Sequence, residues 1–479
     1  MRASTVVISA VFFAIHFAIA ASTPIFNDEA YYALWARQIA SGYYDHPPMI
    51  AYMIRLGTSF LGETTLGIRL FPILCFSISG YLVGEIARCV SNAAVGLPEL
   101  ATALYNLNVL VFALGSFATP DAPSTLFWVA ALWVSFHAVN RAPNTRFVML
   151  WWVGVGFIVG LGILSKFTNA FLAFGLLAYL VATSKGRTYL RTHLPYVAMA
   201  VALLPLLPYL SWNYQNGWLG FERQSQRLAA SGFSARYIGG YIALLLLAPT
   251  PLVTWFAFRG LKSWLKDSAL LAWSSAPLLL YFTYHATHAP IPGNWIVPVQ
   301  APFAILAASG LFHAWSSWRW TKVTLALATG ISVGLVAMAF NPFTPIGRSD
   351  NPPNQTRGWS TILGEVEALR EETGATWIAT TDYARTGSLA IRLPHMPVWS
   401  LTQLQRYGFR GTFPKELCKT RGLLIEAAKR SESRSKTAPR LFETVGTTRG
   451  IIRTQADVTL MRFHITPVSG VKSRYLCGD

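Results

Sequence analysis

Two short runs carry most of the chemistry-bearing side chains near the start of the chain: Asn27-Asp28-Glu29-Ala30-Tyr31-Tyr32 and Gly42-Tyr43-Tyr44-Asp45-His46-Pro47-Pro48. They hold three carboxylates, a histidine and four tyrosines directly after an apolar segment, Val6 to Ala21. Neighbouring carboxylates raise one another's proton affinity, which suits a general base. A histidine can meet a phosphate as a cation or as a hydrogen-bond donor, and Pro47-Pro48 holds the residues before it in extended geometry. A plainer reading stands beside this one. Asp28 caps, and Glu29 complements the dipole of, a surface helix over 30–39 that turns Tyr31, Leu34, Trp35 and Ile39 towards lipid or core. His46 then only closes a loop ahead of a helix over 50–60.

Further candidates lie downstream. Thr119-Pro120-Asp121-Ala122-Pro123 puts an acid at the edge of an apolar segment, where it is either functional or the N-cap of that segment. Lys166 stands in a tight turn, Ser165-Lys166-Phe167-Thr168, where a lone cation snorkels or binds an anionic head group. Arg223 and Arg227 are four apart and share a face if helical, so they clamp a phosphate, pair with Glu222 or are solvated. His285 and His288 have a spacing that can hold metal, but no further close ligand follows; Asn294-Trp295 comes next. There is no glycine-rich phosphate loop on a strand–helix unit and no nucleophile elbow, which removes ATP-driven transport and serine hydrolysis as leading readings.

The elements that must position these groups are membrane helices. Of 479 residues, 53% are hydrophobic and 13% charged, against about a quarter charged in soluble domains. The spacing predicts eleven spans, near 5–21, 66–89, 94–117, 122–140, 147–164, 168–184, 194–213, 236–258, 268–285, 294–313 and 321–341, with 46–62 as a possible helix on the membrane surface. The first span is expected to be retained rather than cleaved as a signal peptide. The +18 charge is spread over short loops and the C-terminal region, which fits topology better than nucleic-acid binding. With the N-terminus in the cytosol, the connections carrying Arg88; Arg141 and Arg146; Lys185, Arg187 and Arg191; Arg259, Lys262 and Lys266; and Arg319 and Lys322 all fall inside. Asp28, Asp45, Asp121, Lys166, the 213–236 loop and 342–479 fall outside.

The expected domains are a membrane domain over 1–341, with a first outer loop over 22–64, and a small outer α/β domain over 342–479. In the latter, 361–373 and 386–393 read as helices, and 376–381 and 397–400 as strands. Cys418 and Cys477 are either a disulfide or two free thiols.

The acidic pair after the first span, the Asp45-His46-Pro47 run and Thr119-Pro120-Asp121 resemble, in order and sidedness, the GT-C glycosyltransferases. The nearest group contains the protein O-mannosyltransferases and the aminoarabinose–lipid A transferases, and galacturonosyltransferases of lipopolysaccharide are among its relatives. Ser165-Lys166, Gly293-Asn294-Trp295 with Pro298, and Thr380-Thr381-Asp382-Tyr383 resemble the same group. The resemblance implies a polytopic α-helical GT-C fold and an inverting transfer of a sugar from a polyprenyl-phosphate donor to a glycan, lipid or protein acceptor. It places the site and the C-terminal domain on the periplasmic face of a bacterial inner membrane, with no cofactor required and no nucleic acid as partner. Asp28 would be the base, Glu29 its support and Asp121 a second active-site acid. His46 stands where the lipid A transferases have a phosphate-binding lysine. Tyr43, His46, Lys166, Arg223 and Arg227 are the expected donor-phosphate group, and Tyr32, Asp45, His288 and Asn294 are expected to line the site. Two other classes compete. A flippase for a lipid-linked saccharide would carry charges inside its spans; a non-catalytic assembly protein would not depend on Asp28 or Asp121.

Overall fold

The computed structural model describes residues 2–91, 94–228, 232–267, 269–314, 317–340, 352–428, 434–455 and 458–472. Its contacts divide the chain into two units: Met1–Ala21 with Ser41–Val336, and Ser22–Ala40 with Ala337–Asp479. Ser22–Ala40, expected to be a loop of the membrane domain, thus packs within the second unit. The sequence boundary missed this because the partners lie more than 300 residues apart along the chain, as in the Asn27–Ser388 contact.

The first unit is helical, and the protein is a multi-pass membrane protein. Among the described residues, seven helices are each long and apolar enough to cross a membrane, or nine if two bent pairs count as single spans. All eleven expected segments are helical, but several are broken or short. The 94–117 segment is two helices, Leu97–Asn106 and Val109–Leu114. Asn108 separates them: its Oδ1 accepts from the backbone N–H groups of Leu110 and Val111, and its amide donates to Gln300. That cap starts a new helix rather than continuing the old one. Phe167–Ala182 meets Ser184–Leu190 at 101°, and Ala235–Leu247 meets Pro251–Leu261 at 85°. Ala269–His285 has 17 residues and Met49–Leu61 has 13.

One close crossing sets the position of a candidate residue. Helix Val148–Ser165 carries Gly156 and Gly160 against Leu194–Leu203. A Cβ on Gly156 would lie 2.1 Å from the Ala198 carbonyl oxygen, and one on Gly160 2.4 Å from that of Ala202. Two glycines four apart let the helix backbones touch, which drives packing where lipid offers no hydrophobic force. The helix held this way ends at Ser165, so Lys166 is its C-cap.

The second unit is built on a six-stranded sheet: β1 (Trp377–Thr380), β2 (Val398–Ser400), β3 (Arg421–Ala427), β4 (Phe442–Val445), β5 (Arg449–Gln455) and β6 (Val458–Val471). The order is β2-β1-β3-β6-β4, with β5 also on β6. β1 is parallel to β2 and β3, and β6 is antiparallel to β3, β4 and β5. Trp377, Leu424, Phe442 and Val468 form part of the core. The helices Trp359–Thr373 and Tyr383–Arg392 and the first two strands fall where the sequence put them. The four strands after 420 were not assigned from sequence. Cys418 is disulfide-bonded; Cys477 lies outside the described residues.

Candidate functional site

In the second unit, Asp28 and Glu29 open helix Asn27–Arg37 and take different roles. Glu29 is 1% exposed, and its Oε2 accepts from the Phe26 backbone N–H at 3.0 Å. It satisfies one of the donors a helix start leaves open. Asp28 is exposed, and the Tyr383 hydroxyl donates to its Oδ1 at 3.1 Å. Of the two surroundings expected for the apolar face of 30–39, lipid or core, Tyr31, Leu34 and Trp35 take the core, with residues 29–36 all buried, while Ile39 lies beyond the helix and is exposed. Tyr31 packs edge-on against Trp35, Tyr383 and Tyr407, and its hydroxyl donates to the Arg406 carbonyl at 2.8 Å. Tyr32, expected to line the site, is buried against Tyr31 and Trp35.

Helix Tyr383–Arg392 fixes this arrangement. Ser388 Oγ donates to Asn27 Oδ1 at 2.6 Å, and Arg392 donates to the Ile25 carbonyl at 2.9 Å. Gly387 permits the approach, since a Cβ there would lie 3.0 Å from Tyr31 N. Arg406 stacks over the Tyr383 ring at 4.1 Å, and a cation over a phenol ring draws electron density from it. The Tyr407 hydroxyl donates to the Tyr383 carbonyl at 2.7 Å, and burial pushes that phenol's pKa upward, so it remains a donor.

In the first unit, Asp121 is the first residue of helix Asp121–Val139, with Pro120 rather than Asp121 as the N-cap. Lys166 Nζ donates to Asp121 Oδ1 at 2.6 Å, and Asn294 donates to Oδ2 at 2.9 Å. Asp121 is 3% and Lys166 6% exposed. The Asp121 carboxylate thus sits at a helix N-terminus with an ammonium on one oxygen and an amide donor on the other. Lys166 therefore does not snorkel. Among the described residues its ammonium has Asp121 as its side-chain partner, which leaves two of its donors open.

Asp45 is buried, and Arg223 Nε lies 3.3 Å from its Oδ1. Arg223 also stacks over Tyr44 at 5.4 Å, and Gln224 donates to the Asp45 carbonyl at 2.9 Å. Arg223 thus leaves Glu222 to Gln226 and keeps its two terminal nitrogens available. The side chain of Arg227 lies outside the described residues. Tyr43 is 1% exposed and belongs to the core, not to an open phosphate site. His46 is half-buried. His288 bonds Thr287 and packs on Tyr284, while His285 packs near Trp295.

Apolar contacts tie the Lys166 turn to the segments that carry Asp45 and Arg223. Met49, Leu164 and Tyr209 share a cluster on which Phe127 and Phe167 pack. Phe167, next to Lys166, sits 5.2 Å from Phe221, two residues before Arg223. A Cβ on Gly42 would lie 2.3 Å from the Trp212 ring, so the strip leading to Asp45 lies flat on that cluster. Arg69 is a buried cation of the same unit that the sequence reading does not single out. It is fully buried, donates to the Ala20 carbonyl at 2.9 Å and stacks over Phe117 at 5.2 Å. The signal was present: an arginine inside an otherwise apolar span is functional by default.

Residues 45–212 match the family model described as dolichyl-phosphate-mannose-protein mannosyltransferase. The chain is 26% identical over 370 residues to the lipid A galacturonosyltransferase RgtD of Rhizobium johnstonii, covering 75% of each. It is 25% identical to undecaprenyl phosphate-alpha-4-amino-4-deoxy-L-arabinose arabinosyl transferase 1 of Proteus mirabilis, over 55% of this chain and 49% of that one. It thus spans about half the length of the second relative. The structure superposes on ArnT from Cupriavidus metallidurans bound to undecaprenyl phosphate, with a TM-score of 0.66 and 15% identity, over 96% of this chain and 97% of that one.

Proposed function

We propose that this chain, which has an ArnT-like GT-C fold, moves a sugar from an undecaprenyl-phosphate donor onto a hydroxyl of lipid A or a related envelope glycolipid, at the periplasmic face of a bacterial inner membrane. The observation that carries the reading is the buried Lys166 ammonium. It is fixed by Asp121 yet has two donors unspent, as a site that must receive a phosphate requires. The names of the relatives support the donor and acceptor classes. Both curated relatives are transferases, one named for lipid A and one for an undecaprenyl phosphate-linked sugar.

The chemistry follows from the leaving group. As the bond between the anomeric carbon and the phosphate oxygen breaks, the electron pair stays on undecaprenyl phosphate. That group needs cations to take up growing negative charge, not a proton. Lys166 and Arg223 are the proposed cations, each already oriented by a carboxylate, Asp121 and Asp45. The acceptor hydroxyl attacks the anomeric carbon from the opposite side, inverting it, and its proton passes to a base. The resemblance of the Asp28-Glu29 pair gives that role to Asp28. It is exposed and bonded by the Tyr383 hydroxyl, whereas both carboxylate oxygens of Asp121 already accept hydrogen bonds, from Lys166 and Asn294. Asp121 and Glu29 are positioning residues in this scheme. Anchoring the donor by its lipid in the membrane removes much of the entropic cost of bringing the reactants together.

The test is reconstitution of the purified protein in lipid with undecaprenyl phosphate-linked galacturonic acid or aminoarabinose and a lipid A acceptor. Product mass is read by mass spectrometry. Mass gain of one sugar on lipid A, lost in Lys166→Met, supports the reading. Full transfer by Lys166→Met would overturn the site. Movement of the donor across the bilayer without transfer would overturn the function.

A further inference from the structure

Arg453, on β5, is 2% exposed, and its buried Nε has no hydrogen-bond acceptor. A buried guanidinium carries five N–H donors and a full charge. Burying it without a counter-ion is among the costly arrangements a fold can contain. Its neighbours make matters worse. Arg453 stacks over Trp359 at 5.0 Å, and Arg392 over the same ring at 4.7 Å. Arg385 lies over Phe463 at 5.7 Å, and Phe463 sits 6.4 Å from Trp359.

Carboxylates do not match this charge. Arg385 pairs with Asp382, and also turns a nitrogen to the Met461 sulfur at 3.2 Å, a weak acceptor. Arg392 donates to the carbonyl oxygens of Ser388 and Ile25 at 3.1 and 2.9 Å. Burial lowers the pKa of both Arg392 and Arg453 to about 10, and for Arg453 the charges of Arg385 and Arg392 add to it. The stack is built into the backbone. Gly358 has φ +67° and passes so close to β5 that a Cβ would lie 2.4 Å from the Thr454 carbonyl oxygen. That approach brings Trp359 over Arg453.

We infer that Arg385, Arg392 and Arg453 form an oxyanion site in the second unit that takes a phosphate monoester. Among the described residues, three guanidiniums meet the one carboxylate of Asp382, on Arg385, and the charges of Arg392 and Arg453 leave room for two negative charges, which a phosphate monoester supplies and a carboxylate does not. Planar guanidinium forks also match phosphate oxygens in pairs. Arg385 and Arg392 are seven apart on one helix and share a face. Both are partly exposed and Arg453 is buried, so the first two form the approach. The site is separate from the donor-phosphate group, which lies in the first unit, and does not depend on the assigned transfer.

The test uses the full-length protein. In detergent, its thermal midpoint is followed with inorganic phosphate against chloride at equal ionic strength. In phosphatidylcholine nanodiscs, it is followed with and without phosphatidic acid. Arg453→Met and the more accessible Arg385→Gln are run beside it. The expected result is a midpoint that rises with phosphate in the parent protein and not in Arg453→Met. In phosphate-free buffer Arg453→Met should melt at or above the parent, because an unpaired buried charge is gone. A response to inorganic phosphate assigns a free anion; a response to phosphatidic acid alone assigns a lipid head group. A parent protein indifferent to both would overturn the inference, as would either response surviving intact in both variants.

Discussion

Lys166 and Asp121 form an ion pair of 2.6 Å with both side chains almost fully buried. The two residues are 45 apart in sequence and come from the end of one membrane helix and the start of another. A buried pair of this kind adds little net stability, but breaking it from one side strands a charge, at about 3–5 kcal/mol.

The pair is therefore expected to behave as a unit. Asp121→Asn leaves Lys166 unpaired and should lower both thermal stability and transfer. Lys166→Met leaves Asp121 with Asn294 and the helix dipole, and should lower transfer by roughly 100-fold through lost stabilisation of the leaving phosphate. The double substitution should be less unstable than the two single effects combined, with a coupling of about 0.5–3 kcal/mol. Independent, additive effects in a melting series and a transfer assay would show that the contact carries no weight.

Asp28 and Tyr383 give a separable prediction. Asp28→Asn keeps the size and the contact with the Tyr383 hydroxyl but removes the base. Transfer should fall by roughly 10²–10⁴-fold with the melting midpoint nearly unchanged, since Asp28 is exposed. Tyr383→Phe removes one hydrogen bond and should cost about tenfold, chiefly in kcat. Steady-state kinetics on the two variants checks the order; a larger loss in Tyr383→Phe than in Asp28→Asn would reassign the base.

Arg223→Lys tests whether a fork is needed or only a charge. Arg223 uses Nε on Asp45 and stacks on Tyr44, a geometry that leaves its terminal nitrogens directed elsewhere. Lysine has no second edge to offer. The expected outcome is a several-fold rise in KM for the lipid-phosphate donor with little change in the KM for the acceptor. Asp45→Asn should move the same parameter in the same direction. Unchanged donor KM in both would make the contact purely structural.

Much of this was legible in the chain. Apolar length and basic-loop alternation located the helical segments, and the acids at 28, 45 and 121 stood out because carboxylates are rare there. Three things were hidden. The breaks at Asn108 and near Thr183 come from local side-chain caps that compete with helix continuation, and a hydropathy window averages over them. The division between Asp28 and Glu29 depends on which side chain folds back to Phe26. The place of Ser22–Ala40 in the second unit depends on Ser388, Arg392 and Tyr383, and no local pattern reports so distant a partner. The antiparallel strand Val458–Val471 has a partial signal in the alternation of Val458-Thr459-Leu460-Met461-Arg462-Phe463. Arg69 is masked in a hydropathy window because any one cation among 26 helix residues barely lowers the mean.

The second unit should also carry its own acid sensitivity. Glu367, on helix Trp359–Thr373, accepts from Arg370 at 2.6 Å and from His395 at 2.7 Å. These partners, Arg370 first, hold its pKa below the ordinary 4.5. A carboxyl depressed on folding binds its proton more readily when unfolded. Its stabilising contribution is therefore complete above the ordinary carboxylate value and is lost as pH falls through the lower, folded one. All three groups are partly exposed, so the effect is modest and screened by salt. Melting curves of the parent and Glu367→Gln between pH 7 and pH 3 should start with the parent higher and converge at the acid end, and high salt should shrink the gap at neutral pH. A gap that stayed constant to pH 3 would mean that Glu367 contributes by packing and not by charge.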